Sequence, residues 1–449
     1  MFFKIQNLIL IIFILIPNAC FSEIIKNNTQ KTNYISFNKV LPLALKNNKK
    51  ILISINNSKA SFYNYKASKS SFYPKLDITA NVAEQDNSNP NSANESFSPR
   101  QYNFKITQPL WDFEENWTKV EIASLRSKLS KINIAETKTK IILKATRDYS
   151  NFRKAKSRYL LSLEFEKKLK KQTGFQDYRI KQGAAISTDL LQAKNALANA
   201  ITSRVIAYGN FQRSKINFFS TFNFLPDIKI KILPVNVPLK LIPKNMEQYI
   251  KNVLKNGYKI QKARINKQIS DLTKSNAFAA NFLPKFTLTG EVKHKDNSSG
   301  TPGYLTENIV KVEMKWPIEL FGTQIDKYNS SNLVSDNANT QYRETVKEIK
   351  EVAQSTWISF QNEKTNLEFI NNQVNISKQF LKMANLEFKK GRGSMNLVVS
   401  AQNAFFNSQT SLKEAVAKFA LTSYSLLSSS GKLSIKNLNL LEKRKKKKL

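Results

Sequence analysis

Cysteine and histidine are almost missing from this chain. Its 449 residues include one cysteine, Cys20, and one histidine, His294. A zinc site needs several Cys or His ligands, and a Ser–His–Asp triad needs a base held beside its nucleophile. Phosphate-binding motifs of the GxxxxGK(S/T) and GxGxxG types are absent as well. The sequence therefore predicts a protein that is not an enzyme and that uses no cofactor and no metal.

Acidic residues are also scarce, with 33 Asp and Glu against 71 Lys and Arg and a formal net charge of +38. Such an excess often marks a nucleic-acid-binding protein. Here the lysines are spread over the whole chain among many Asn and Ile residues, which indicates a compositional bias, and we expect no nucleic-acid partner. The one continuous basic run, residues 443–448, predicts a disordered tail over residues 432–449.

Long apolar runs are limited to one, from Leu8 to Ile16, which follows Lys4 and precedes Pro17. It is too short for a transmembrane helix, which needs about 20 residues. The pattern is typical of a secretory signal peptide over residues 1–22, cleaved after Ser22. The alternative is a lipoprotein in which Cys20 is acylated. Both interpretations predict an exported protein.

Proline is unevenly distributed, and its gaps show where long helices can run. No proline occurs between Pro109 and Pro226 or after Pro317. Four prolines cluster in residues 226–243, which we expect to be a linker. Within the second gap, apolar residues recur at every seventh position, which predicts helices packed as in a coiled coil: Val346, Ala353, Phe360, Leu367, Val374, Leu381 and Phe388. A helix over residues 114–173 would be about 90 Å long, so we expect an elongated molecule.

Four other segments alternate apolar and polar residues with the period of a β-strand. They form two pairs, within residues 74–110 and 284–317, and each pair is separated by a loop rich in Asn, Ser, Gly and Pro. The loops are Asp86–Arg100 and Asp296–Thr306. The sequence therefore predicts two β-hairpins.

The two halves of the chain repeat each other. Leu45-Lys46-Asn47 corresponds to Leu254-Lys255-Asn256, and Pro109 and Gly183 match Pro317 and Gly391 at a constant offset of 208 residues. Such self-similarity indicates an internal duplication. We expect a first repeat over residues 23–225 and a second over residues 244–431.

The strands have the length and alternation of strands that cross an outer membrane. A sheet in lipid must close, because no backbone group can be left unpaired, and four strands are too few to close. Two, three or four copies would give about 8, 12 or 16 strands. In the alternative interpretation, the strands belong to a soluble sheet whose apolar face packs on the helices.

These features resemble the TolC family of outer-membrane efflux proteins, from about Phe37 to Gly431. Besides the duplicated hairpins, the resemblance rests on two helix-turn-helix segments, Tyr178–Gly183 with Ser187–Ala193 and Phe388–Gly391 with Leu397–Ala401. It implies an α+β membrane protein in which long coiled-coil-like helices form a periplasmic helical barrel. Four strands per protomer would contribute to a 12-stranded β-barrel of a homotrimer in outer-membrane lipid. Such a channel is passive and works with a periplasmic adaptor and an inner-membrane pump, in tripartite efflux of small molecules or in type I secretion of polypeptides.

The resemblance also implies a gate at the periplasmic end of the helices. Gly183 and Gly391 would mark the turns at the helix tips. Polar links between neighbouring helices close such gates, and Thr188 and Asp189 match their acceptor side. Phe388 stands where the family often has tyrosine, and Arg392 is one position from the usual arginine. Leu397 and Ser400 occupy positions where the family has acidic rings, so the resemblance does not predict a cation-selective aperture here.

Two further interpretations stay open at the residue level. Asp189 could instead stabilise the start of a helix through the helix dipole, beside Ser187 and Thr188 as caps. Trp111 and Trp316 could form part of an interfacial aromatic belt, or pack where helix meets strand. The competing functions are a periplasmic coiled-coil adaptor or surface adhesin without a pore, which leaves the amphipathic strands unexplained, and an exported enzyme, for which no motif is present.

Overall fold

The computed structural model describes residues 34–46, 48–87, 95–183, 187–297 and 303–438. The predicted signal peptide with Cys20 and the basic run at 443–448 lie outside the described residues. The helices within these ranges are α1 (Phe37–Lys46), α2 (Lys49–Lys69), α3 (Glu115–Lys181), α4 (Ser187–Phe222), α5 (Met246–Asn256), α6 (Tyr258–Phe282), α7 (Thr323–Lys389) and α8 (Met395–Ser429). The strands are β1 (Tyr34–Ile35), β2 (Lys75–Val82), β3 (Gln85–Asn87), β4 (Glu95–Phe97), β5 (Arg100–Trp111), β6 (Lys231–Ile232), β7 (Lys285–Asp296) and β8 (Tyr304–Lys315).

The two longest helices, α3 and α7, have 67 residues each. At 1.5 Å per residue each is about 100 Å long, so the predicted elongated shape is confirmed. The helix predicted to reach residue 173 continues to Lys181. None of the helices in the described ranges has the length and hydropathy needed to cross a bilayer.

The duplication is visible in the backbone. The residues that precede α3 and α7, Glu114 and Gly322, both have positive φ, at 71° and 78°. The same offset of 208 residues relates two further pairs with positive φ at helix ends: Gly183 with Gly391, and Asn223 with Gly431. The two long helical hairpins therefore begin, turn and end at equivalent positions.

The heptad positions of α7 point inward, as the seven-residue spacing predicts. Ala353 and Phe360 are 1% and 4% exposed and pack with Tyr249 of α5 and Trp357 in one apolar cluster. Val346 packs against the same cluster, and Leu381 and Phe388 pack against a second one nearer the end of α7. This confirms the interpretation of the pattern as side-by-side helix packing.

The largest core is aromatic and ties both repeats together. Phe37, Tyr149, Phe218 and Tyr424 are at most 1% exposed and belong to one cluster. The hydroxyl of Tyr149 lies 3.0 Å from the carbonyl oxygen of Ile35 and 2.9 Å from that of Leu233, where β1 and β6 pair in parallel. The segment expected to be a linker thus contributes a strand to the core.

The prediction of a disordered tail over residues 432–449 is wrong for its first part, residues 432–438. Leu433 and Leu438 are 1% and 5% exposed and belong to the same core, and the hydroxyl of Thr139 donates to the carbonyl oxygen of Leu433 at 3.1 Å. These leucines were missed because the lysines further along dominate the composition. Residues 439–449 lie outside the described part of the chain.

The two predicted hairpins are confirmed, and they join into one antiparallel sheet of order β2-β5-β7-β8. The predicted loops are shorter than expected: β5 begins at Arg100, β8 begins at Tyr304, and β3 pairs with β4 inside the first loop. Any residue can pair through its backbone whatever its side chain, so composition alone placed the starts of β5 and β8 too late. Pro109 lies inside β5, beyond the last pairing with β2 at Thr107, where its missing N–H costs that ladder nothing.

Candidate functional site

The sheet has one apolar face, and none of the described helices covers it. The register places Ile78, Phe104 and Val292 side by side on this face, with Val310 and Val312 further along. Their exposed fractions run from 44% for Val292 to 81% for Val310. Monomeric soluble proteins rarely expose an apolar patch larger than a few hundred Å². The alternative interpretation, in which the apolar face packs on the helices, is therefore wrong for the described residues.

The opposite, polar face is the better shielded of the two. Asn103, Lys105 and Thr107 of β5 are half-buried, and Thr289 of β7 is 2% exposed. The charged residues that the register places on this face are Lys75, Asp77, Lys105, Lys285, Glu291, Lys293, Lys295, Glu307, Lys311, Glu313 and Lys315.

Aromatic residues lie at both ends of the apolar face. Trp111 pairs with Phe286 on this face at the end where the helices attach, and Trp316 follows β8 at the same end, its indole N–H donating to the carbonyl oxygen of Phe282 at 3.0 Å. At the far end lie Tyr102 and Tyr304. Sequence reasoning selected the two tryptophans and missed the tyrosines, which lie near the predicted loops.

The junction between sheet and helices is built on Glu115, at the start of α3. Its side chain is 7% exposed and forms ion pairs with Lys119 at 2.5 Å and Lys285 of β7 at 2.6 Å. The side-chain amide of Asn276 donates to the carbonyl oxygen of Glu115 at 2.8 Å and to the hydroxyl of Thr118 at 2.7 Å. Burial alone would raise the pKa of Glu115, but the hydrogen bonds from Lys119 and Lys285 outweigh it and hold the pKa below its usual range.

The helix tips, which are the turns between α3 and α4 and between α7 and α8, use glycine where the backbone is left-handed. Gly183 and Gly391 have φ of 70° and 74°. The N–H of Gly391 donates to the carbonyl oxygen of Phe388 at 3.1 Å, and that of Arg392 to the carbonyl oxygen of Glu387 at 2.9 Å. This is the Schellman arrangement, which satisfies the last carbonyl groups of a helix.

The predicted gate residues divide between the two tips. Thr188 is exposed and Asp189 half-buried in the first turn of α4. At the other tip Phe388 and Leu397 pack against one cluster with Met395 and Val398. Arg392 and Ser400 are exposed.

Two residues near the tips were missed by sequence reasoning. The guanidinium of Arg179, in the last turns of α3, lies 5.8 Å from the ring centroid of Phe388, so the two tips meet in a cation–π contact. Gln176 is fully buried one turn earlier, and neither of its amide atoms has a hydrogen-bond partner among the residues that the structure describes. Gln176 is a polar residue seven positions after the buried Leu169, which was the one periodic signal for it. The contact of Arg179 leaves no signal in the periodicity of α3.

The family model for outer membrane efflux proteins matches residues 40–218 of this chain. No curated protein matches the sequence. Solved structures match the fold over most of the chain. The outer membrane channel CmeC of Campylobacter jejuni is 17% identical with a TM-score of 0.76, and the match covers 90% of this chain and 88% of that one. VceC of Vibrio cholerae is 14% identical with a TM-score of 0.74, covering 88% and 96%.

The open state of the MtrE outer membrane channel of Neisseria gonorrhoeae is 18% identical with a TM-score of 0.72, and the match covers 88% of each chain. At these identities the likeness to the solved structures is one of fold. Together with the family model, it confirms the resemblance predicted from the residues.

Proposed function

We propose, from this resemblance to the TolC family of outer-membrane efflux proteins, that the chain is one protomer of a passive channel in the bacterial outer membrane. The observation that best supports this proposal is the uncovered apolar face of a four-stranded sheet attached to helices about 100 Å long. The sheet sits in outer-membrane lipid, and the helices extend into the periplasm.

The protomers assemble as a homotrimer. In a sheet of four strands, the outer edges of β2 and β8 leave backbone N–H and C=O groups unpaired, and such groups are strongly unfavourable in lipid. Three copies join these edges into a 12-stranded β-barrel, with the apolar face toward lipid and the polar face toward the lumen. Trp111 and Trp316 then form an aromatic belt at the helix end of the barrel, and Tyr102 and Tyr304 form the opposite belt.

The channel works in a tripartite efflux or type I secretion system. A periplasmic adaptor and an inner-membrane pump supply cargo and energy, and the channel contributes the route to the exterior. Residues 1–22 direct export and are removed, and residues 23–225 and 244–431 form the two repeats. The tips around Gly183 and Gly391 are the gate, with Thr188, Asp189, Phe388, Arg392, Leu397 and Ser400 as its candidate residues.

The assembly is tested by extracting outer membranes with detergent. We expect a trimer that resists dissociation in the cold and that separates into monomers on heating, as seen by gel mobility. Recovery of the protein as a soluble monomer from a periplasmic extract would contradict the proposal and favour a pore-less adaptor.

The gate is tested by Asp189→Ala in planar bilayers. If Asp189 helps to close the tip, its removal raises the single-channel conductance. Asp177→Ala is the matched control, because Asp177 lies near the same tip and forms an ion pair with Lys181 of the same helix, at 3.1 Å. An unchanged conductance in the Asp189 variant leaves that residue with a capping role alone.

A further inference from the structure

The polar face of the sheet carries an excess of positive charge. The register places seven lysines on it and four carboxylates. Resting on the proposed channel, in which this face lines the lumen, we infer that the barrel prefers anions to cations.

The four carboxylates are each neutralised by a lysine of the same face. Asp77 pairs with Lys75 at 2.7 Å and Glu291 with Lys293 at 3.2 Å. The other two pairs are Glu307 with Lys295 at 3.0 Å and Glu313 with Lys311 at 2.8 Å. The acidic groups of this face therefore leave no negative charge for a passing cation, and the remaining lysines determine the sign of the field.

Those remaining lysines are Lys105, Lys285 and Lys315. Lys105 lies in the middle of β5, and Lys285 and Lys315 face each other across β7 and β8 at the helix end. Like charges directly opposite each other in a sheet are destabilising, and here Lys285 turns to Glu115. Among the described residues, Lys105 and Lys315 form no ion pair within 4 Å and interact with carboxylates of this face only at longer range: Lys105 with Glu291 and Glu313, and Lys315 with Glu313. Because each of those carboxylates already has its own lysine partner, Lys105 and Lys315 contribute the excess positive charge that attracts an anion in the lumen.

The field of these lysines acts across the lumen at moderate salt. The Debye length is about 10 Å at 0.1 M and about 3 Å at 1 M ionic strength. A cleft of one charge sign between low-dielectric walls raises the local concentration of the opposite ion. The preference for anions should therefore be clear in dilute salt and fade in concentrated salt.

The experiment is a reversal-potential measurement on the full-length trimer in planar bilayers, under a KCl gradient centred near 0.1 M. We expect chloride to permeate roughly two- to fivefold better than potassium, and the ratio to approach one near 1 M. The test variant is Lys105→Gln combined with Lys315→Gln, which removes both unpaired lysines without breaking an ion pair. Its permeability ratio should fall toward one at the lower salt. Lys251→Gln, exposed on α5, is the control and should leave the ratio unchanged.

The outcomes separate the inference from the function it rests on. A conducting trimer that prefers potassium overturns the inference and keeps the channel. So does an anion preference that the double variant leaves intact, since the selectivity would then arise elsewhere. A trimer that never conducts overturns the channel itself.

Discussion

At the scale of single residues, the two repeats differ in how they begin their long helices. Gly322 adopts its left-handed conformation freely, whereas Glu114 must hold the same conformation with a side chain. The left-handed region costs a non-glycine residue about 1 to 2 kcal/mol. A Cβ added at Gly322 would meet open space, so the difference between the two positions is one of backbone conformation alone.

Replacing Glu114 by glycine should therefore stabilise the first repeat by about 1 kcal/mol. The reciprocal change, Gly322→Ala, should destabilise the second repeat by a similar amount. The measurement is thermal unfolding of the purified trimer in detergent, followed by circular dichroism. A lower midpoint for Glu114→Gly would show that the side chain of Glu114 contributes more than its backbone costs.

A second residue-scale prediction concerns Glu115, which joins Lys119 of α3 to Lys285 of the sheet. Glu115→Gln removes the charge that both lysines contact, and we expect a loss of about 1.5 kcal/mol of stability at pH 7. This loss of stability lies at the low end of the range for hydrogen bonds to charged groups, because water can solvate both lysines in the variant. Thermal unfolding measures the loss, and Glu247→Gln, in an exposed pair with Lys251, is the control.

The same site predicts a pH dependence. The pKa of Glu115 is lowered in the folded protein from its ordinary value of 4.5. A lowered pKa stabilises the fold above the ordinary value, and this contribution is lost as the pH falls through the folded pKa. The difference in unfolding midpoint between the wild type and Glu115→Gln should therefore be largest at pH 7 and should shrink below about pH 4.5. A constant difference down to pH 3 would contradict the ion-pair explanation.

At the scale of elements, the helical hairpin of α3 and α4 contains a destabilising residue near its tip. Gln176 is fully buried on α3, and within the described part of the chain neither of its amide atoms has a hydrogen-bond partner. A buried polar group left unsatisfied costs about 1 to 3 kcal/mol, so packing there is less favourable than the apolar heptads allow elsewhere.

Gln176→Leu should raise the stability of the protein by about 1 kcal/mol, because leucine fills a similar volume and buries no polar atom. Native-state hydrogen exchange of the amides in α3 and α4 near the tip measures the effect locally. Gln182→Leu, at the exposed end of α3, is the control. Faster exchange in the Gln176 variant would indicate that its amide has a polar role in the assembled channel.

Periodic features of these elements could be predicted from the sequence. The heptads of α7 and the gaps between prolines predicted the long helices. The alternation of apolar and polar residues predicted the hairpins, and the repeated prolines helped to predict the duplication. Contacts between distant residues could not be predicted: the ion pair of Glu115 with Lys285, the contact of Arg179 with Phe388 and the burial of Leu433 leave no periodic signal. The strand ends were missed because polar residues continue the backbone ladder.

At the scale of the whole molecule, the apolar face determines how the chain can exist in water or lipid. Val310 is 81% exposed on this face, while its neighbour Ile309 lies on the polar face. In the proposed barrel, Val310→Lys places a charge toward lipid and should cost about 2 to 4 kcal/mol per protomer. Ile309→Lys places the same charge toward the lumen and should be close to neutral.

The two variants are compared by the amount of heat-modifiable trimer in the outer membrane. We expect a strong loss for Val310→Lys and a near-normal amount for Ile309→Lys. The reverse order would mean that the polar face is the one turned toward lipid.

The equal lengths of α3 and α7 have a consequence for how this protein can change in evolution. Deleting one residue from a helix turns every later side chain by about 100° and draws its tip back by about 1.5 Å. Such a deletion in one repeat would both misalign its heptads and leave its tip short of its counterpart. We therefore expect that natural variants of this chain change helix length in multiples of seven residues, and in both repeats together.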